Sequence, residues 1–170
     1  DPVSRINVAL AQGKNLLFSP GVYDVDRTIL VQRPDTVVLG LGHATLTSQK
    51  GATPLRIADR PGIVVAGLTV DAGPKLSPVL LQVGQARGHA WGRTSSTRDP
   101  ITLSDVYFRV GGPHVGKAVT ALEINADHVL VDHTWIWRAD HGVEGFTEGE
   151  IGDTDRWNTN IGRYGLVVNG

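Results

Sequence analysis

Apolar positions along this chain fall in short runs of about four to six residues, an ordinary strand length, and glycine, proline or polar residues close each run. Asn15-Leu-Leu-Phe18, Thr28-Ile-Leu-Val31, Thr36-Val-Val-Leu39, Ala44-Thr-Leu-Thr47, Leu55-Arg-Ile57 and Ile63-Val-Val65 are the first of them. The beginning of the chain reads differently. Asp1 can cap a helix, Pro2 suits its first position, and Val3, Ile6, Val8, Ala9 and Leu10 offer an apolar face before Gly13, which predicts one short helix over Val3 to Ala11. Helical periodicity does not return after it.

Two strand types recur in a fixed order. Leu55-Arg-Ile-Ala, Leu80-Leu-Gln-Val, Leu122-Glu-Ile-Asn and Leu166-Val-Val-Asn form one series. Val65-Ala-Gly-Leu-Thr-Val70, Leu103-Ser-Asp-Val-Tyr-Phe108 and Val131-Asp-His-Thr-Trp-Ile136 form the other. A sandwich gives no reason for such repetition, whereas a solenoid requires it. The chain is therefore expected to be all-β, a right-handed parallel β-helix of the pectate-lyase-like solenoid type, with a short N-terminal capping helix and a single domain over residues 1–170. The coils lengthen at Gly84 to Pro100 and at Asp140 to Gly165, polar and glycine-rich stretches that read as inserted loops. Strand alternation places Leu68, Val106 and Thr134 inward, with Val70, Phe108 and Ile136 one step along. Thr69, Tyr107 and Trp135 then face outward, followed by Asp71, Arg109 and Trp137.

Composition narrows the partners. The 170 residues hold 16 basic and 17 acidic side chains, so no charge excess recommends nucleic acid or a membrane surface. The 21 glycines and 9 prolines fit many tight turns between strands. Cysteine is absent, which removes disulfides, thiolate metal sites and a cysteine nucleophile. No apolar run approaches the ~20 residues of a membrane-spanning helix.

Candidate chemistry gathers late in the chain. Trp135 and Trp137 share the outer face of one strand beside Tyr107, an aromatic surface on which sugar rings can stack; a covering loop or neighbouring domain is the bland alternative. Asp140, His141, Glu144, Glu148, Glu150, Asp153 and Asp155 crowd the loop that follows, together with Trp157, and supply possible general acids and bases. Trp135, Trp137, His141, Glu144 and Trp157 are the candidate substrate-binding residues. His128, Asp132 and His133 lack metal-site spacing and alternate in direction. Asp153, Asp155, Asn158 and Asn160 lack the glycine and closing glutamate of an EF-hand. Gly40-Leu-Gly42 and Gly111-Gly112 read as coil turns, because no helix start follows them. These patterns call for no metal and no other cofactor.

The stretch from Ile6-Asn-Val-Ala-Leu-Ala-Gln-Gly to Ser19-Pro-Gly-Val-Tyr23 resembles the β-helix of glycoside hydrolase family 55, the β-1,3-glucanases, and of their bacterial relatives. Arg33-Pro-Asp-Thr-Val-Val-Leu-Gly-Leu-Gly42, Ala66-Gly-Leu-Thr-Val-Asp-Ala-Gly73, Ser77-Pro-Val-Leu-Leu-Gln-Val-Gly84, Phe108-Arg-Val-Gly-Gly112 and Trp137-Arg-Ala-Asp-His-Gly142 continue the likeness. It implies a secreted microbial enzyme that releases sugar from β-1,3-glucan ends with inversion, using a glutamic acid in a cleft between two β-helical halves. Asp140 matches an acid that lines the family's substrate site and takes the catalytic assignment, in positioning water or sugar. The resemblance also implies that the chain is a segment of a longer protein, whose remaining polypeptide, or a second copy, covers the coil at Leu166 to Gly170. The proton-donating glutamate would then lie in a later coil. A non-catalytic β-helix for glycan binding or scaffolding is the alternative. A uronate-cleaving lyase fits less well, since neither a basic groove nor calcium-binding acids are evident.

Overall fold

The computed structural model describes residues 1–85, 94–112, 114–139 and 160–170. Helix α1 (Pro2–Ala11) starts where the Asp1 carboxylate accepts the Val3 amide hydrogen at 3.0 Å, which satisfies one of the free amides of the first turn. Val3 and Leu10 are buried and Ile6 is partly so. Val8 was expected on the same face but is 58 % exposed. Positions 3, 6 and 10 follow the helical repeat, and position 8 falls on the opposite side.

Among the described residues twelve strands follow, every named pair parallel. One sheet holds β1 (Leu16–Phe18), β2 (Val22–Asp24), β4 (Val37–Ser48), β6 (Val64–Ala72), β8 (Ile101–Val110), β10 (Val129–Asp132) and β11 (Trp135–Arg138). The other holds β3 (Ile29–Val31), β5 (Leu55–Ile57), β7 (Ser77–Val83), β9 (Lys117–Ile124) and β12 (Ile161–Val168). From β2 to β10 successive strands alternate between the sheets, and the pairs β1 with β2 and β10 with β11 each lie along a single longer strand, β4 and β8 respectively, so each turn of the chain lays one rung on each sheet: this is a parallel β-helix. The runs at Thr36 to Leu39 and Ala44 to Thr47 are one strand, β4, interrupted by a register shift between Leu39 and Ala44. Gly40-Leu-Gly42 thus lies within a bulged strand and does not join two coils. A Cβ on Gly40 would sit 2.3 Å from the Gly67 carbonyl oxygen, and one on Gly67, at φ +69°, 2.5 Å from that of Gly40. Only glycines let the two backbones approach this closely.

The inward stacks form as expected. Ala44, Leu68 and Val106 are in register, as are Leu46, Val70, Phe108 and Ile136. Phe108, Leu68, Val70 and Val106 are fully buried, while Ile136 packs partly buried against them and Thr134 is half-buried. The first strand series needs one correction: Leu81, not Leu80, stacks with Leu55 and Leu122. Both leucines are fully buried, so apolarity alone could not fix the register. The second insertion also ends earlier than Gly165. Ile161 already pairs with Lys117, although Gly162 and Arg163 read as loop.

Polar side chains tie the coils together. Asn169 donates to the Asn125 side chain at 2.8 Å, and Asn125 donates to the Gly84 carbonyl at 3.3 Å. Asn160, buried at the start of β12, accepts the Gly116 amide at 3.0 Å and donates to the Ala139 carbonyl at 3.5 Å. Ala139 and Asn160 flank residues 140–159, and this contact joins the two ends of that insertion.

Candidate functional site

The outer face of the larger sheet is built from rungs of parallel strands. Thr45, Thr69, Tyr107 and Trp135 are one rung; Thr47, Asp71, Arg109 and Trp137 are the next. Side chains grow along the first rung from two threonines to two aromatics. In the second, Asp71 points outward as its alternation requires, yet only 2 % of it is exposed. Arg109 covers it, donating from Nε to Oδ1 at 2.9 Å and from Nη2 to Oδ2 at 2.5 Å. A carboxylate this buried is tolerable because a bidentate cation offsets its lost hydration.

Trp135 and Trp137 stand two residues apart on this face with ring centroids 5.6 Å apart and planes inclined by 8°. They stack on one another and do not lie side by side in a flat platform, since side chains on a strand stand roughly perpendicular to the sheet. Trp135 is 57 % exposed, whereas Trp137 also faces a small cavity of about 140 Å³ beside Ile136, Arg138 and Tyr164. Tyr107 is not continuous with the indoles. Its hydroxyl is drawn back along the strand to the Asp105 carboxylate at 3.2 Å and to His133 Nδ1 at 3.1 Å. A groove of about 340 Å³ runs along this rung, lined by Thr45, Thr69, Tyr107 and Trp135 together with His43 and Arg109.

The corner that holds Tyr107 was not foreseen. His43, Gly67, Asp105 and His133 each directly precede a residue of the Ala44, Leu68, Val106 and Thr134 stack, and all four have φ between 53° and 69°. The left-handed bend repeats coil after coil at this edge. His133 Nδ1 meets the Asp105 carboxylate across it, and the Tyr107 and His133 rings are edge to face at 5.6 Å. Hydrogen bonding from His133 chiefly holds the Asp105 carboxyl below its ordinary pKa, against partial desolvation and with help from Tyr107. Tyr107 is pushed up, first by lost hydration and then by its bond to Asp105. Asp105 and His133 tolerate left-handed backbone better than most residues, but the sequence carried no other mark of the bend.

Of the sequence-predicted site residues, Trp135 and Trp137 are brought together on one face. Asp140, His141, Glu144 and Trp157 lie outside the described residues, as do Glu148, Glu150, Asp153, Asp155 and Asn158. Asn160, set aside with them as an incomplete calcium loop, accepts the Gly116 amide and donates to the Ala139 carbonyl. The groove beside Trp135 and the Asp71–Arg109 pair beneath it were missed. Outward Thr, Thr, Tyr on successive strands was the available signal.

Comparison with known proteins places this geometry. The model of the LAM55 pectate lyase-like domain matches residues 1–170. An exo-beta-1,3-glucanase of Streptomyces sp. (strain SirexAA-E / ActE) is 45% identical over 165 residues, which cover 97% of this chain and 25% of the relative. The solved structure of sacteLam55A from Streptomyces sp. SirexAA-E superposes with a TM-score of 0.84 at 44% identity, over 98% of this chain and 28% of that one. A variant of sacteLam55A in complex with glucose matches equally well. The chain thus spans about a quarter of the length of the relatives it matches. A family match over all 170 residues, joined to parallel coils that superpose on a solved relative, establishes that the chain belongs to the LAM55 pectate lyase-like domain family.

Proposed function

We propose that this chain forms part of a secreted glycoside hydrolase acting on β-1,3-glucan, with Trp135 and Trp137 binding the sugar and Asp140 positioning water or substrate. The observation that carries the reading is the outward tryptophan pair. Two stacked indoles, one of them mostly exposed, give apolar faces that suit the axial C–H surface of a pyranose. The likeness to an exo-beta-1,3-glucanase, and to a structure holding glucose, supports the choice of glucan. His141, Glu144 and Trp157 complete the proposed substrate contacts on the insertion that follows β11.

A second reading rests on a specific observation. Hydrolysis of a glycoside uses two carboxyl groups flanking the scissile bond, and the described residues that line the groove beside Trp135 include no carboxylate. On that reading the chain binds glycan without cleaving it. One experiment decides between them: laminarin is incubated with the longer protein of which this chain is proposed to form part, and with its Asp140→Asn and Trp137→Ala variants, following both reducing-sugar release and binding. Hydrolysis lost in Asp140→Asn with binding kept supports the enzyme reading. Binding lost in Trp137→Ala, with no release by any form, supports the binding module. Unchanged binding in Trp137→Ala would remove the sugar-stacking role from Trp137.

A further inference from the structure

We infer that the groove lined by Thr45, Thr69, Tyr107 and Trp135 is a separate binding position for one neutral pyranose, with Arg109 as its hydrogen-bond donor; the inference rests on the glucan reading above. Its shape comes from the rung sequence. Thr45 and Thr69 are small, and neighbouring strands lie about 4.8 Å apart, so together they floor a trough beside Tyr107. Asp105 and His133 draw the Tyr107 hydroxyl toward the corner, and about 340 Å³ stays open along Thr45, Thr69, Tyr107 and Trp135.

The polar groups fit an uncharged polyol. Arg109 uses Nε and Nη2 on Asp71, which leaves Nη1 and the Thr69 hydroxyl without partners among the described residues, in a groove that Arg109 and Thr69 both line. A guanidinium fixed in this way offers oriented donors at little entropic cost. Its charge is already balanced by a carboxylate only 2 % exposed, so Arg109 adds no unpaired charge to attract an acidic sugar. Two aromatic rings and a fixed donor lining one groove are the combination that a glucose unit satisfies. Trp135 lines this position and Trp137 does not; Trp137 lines the smaller cavity with Ile136 and Tyr164.

The test is an NMR titration of the chain with a β-1,3-linked glucose trisaccharide, following the Thr45 and Thr69 methyl groups and the Trp135 and Trp137 indole N–H signals. Saturable shifts of both threonine methyls and of Trp135 are expected. Thr69→Trp, which fills the trough on an exposed strand face, should weaken the response at Thr45 by about tenfold or more and leave that of Trp137 in place. Tyr107→Ala should weaken it too, which guards against a folding artefact of a single variant. Trp137 responding while both threonines stay still would overturn the groove and spare the glucan reading. Silence at all four residues would overturn both. Glucuronate competing as well as glucose at the threonine methyls would overturn the assignment to a neutral sugar.

Discussion

Single side chains on the two faces of β8 carry different kinds of energy. Phe108 faces inward, fully buried between Val70 and Ile136, and Phe108→Ala should cost about 3 to 5 kcal/mol in urea unfolding, as large core truncations do. Arg109, the next residue, faces outward over Asp71. Removing Arg109 as Arg109→Met strands a buried carboxylate, with an expected loss of about 3 kcal/mol. Asp71→Asn leaves a neutral amide that still accepts from a guanidinium about a third exposed, so it should cost clearly less. Equal losses in the two variants would mean that Asp71 is hydrated. Asp105 belongs to the exposed corner. Its carboxyl pKa is depressed in the folded state, so its stabilising contribution is complete above the ordinary carboxylate pKa and is lost as pH falls through the depressed value. An NMR titration should find the Asp105 carboxyl below the usual range, and His133→Ala should return it upward.

Elements in this fold are defined by their neighbours more than by their own residues. The bend before Ala44, Leu68, Val106 and Thr134 occurs in all four coils, yet it is made by His, Gly, Asp and His. No shared residue type announced it, because a stacked backbone conformation can be imposed by the rung beneath. Leu80 and Leu81 illustrate the same limit. Either apolar residue could face the core, and pairing with β5 and β9 selected Leu81. Asparagine was more informative, since Asn125 and Asn169 end two repeats at the same position and are hydrogen-bonded to each other. Asn125 is 1 % exposed, and its side chain also serves the Gly84 carbonyl and the Glu123 carboxylate. Asn125→Ala should therefore destabilise by about 1 to 3 kcal/mol, the penalty for leaving buried partners unmet. Thermal unfolding compared with that of Asp127→Ala, an exposed neighbour, checks it.

Across the whole molecule, a solenoid is stabilised by contact between adjacent coils, and an uncovered rung is a liability. Helix α1 meets that need at β3, the edge of the smaller sheet. The Asn7 side chain donates to the Thr28 carbonyl at 2.9 Å and accepts the Leu30 amide at 2.8 Å, supplying what a preceding strand would. Asn7→Ala should lower stability by about 1 to 3 kcal/mol and favour self-association through β3, measured by sedimentation velocity over a concentration series. The sequence alone determined the class of the fold, the order of the two strand types, the inward stack around Phe108 and the outward placement of Trp135 and Trp137. These follow from local alternation and from repetition, both properties of a linear string. Tertiary structure decided the register at Leu81, the bulge at Gly40 to His43, the burial of Asp71 and the withdrawal of Tyr107 from its rung. Each depends on which groups from distant coils come within hydrogen-bonding or packing distance. Parallel pairing fixes such distances only when whole coils stack, so the groove became visible in three dimensions although every residue lining it was already in plain sight.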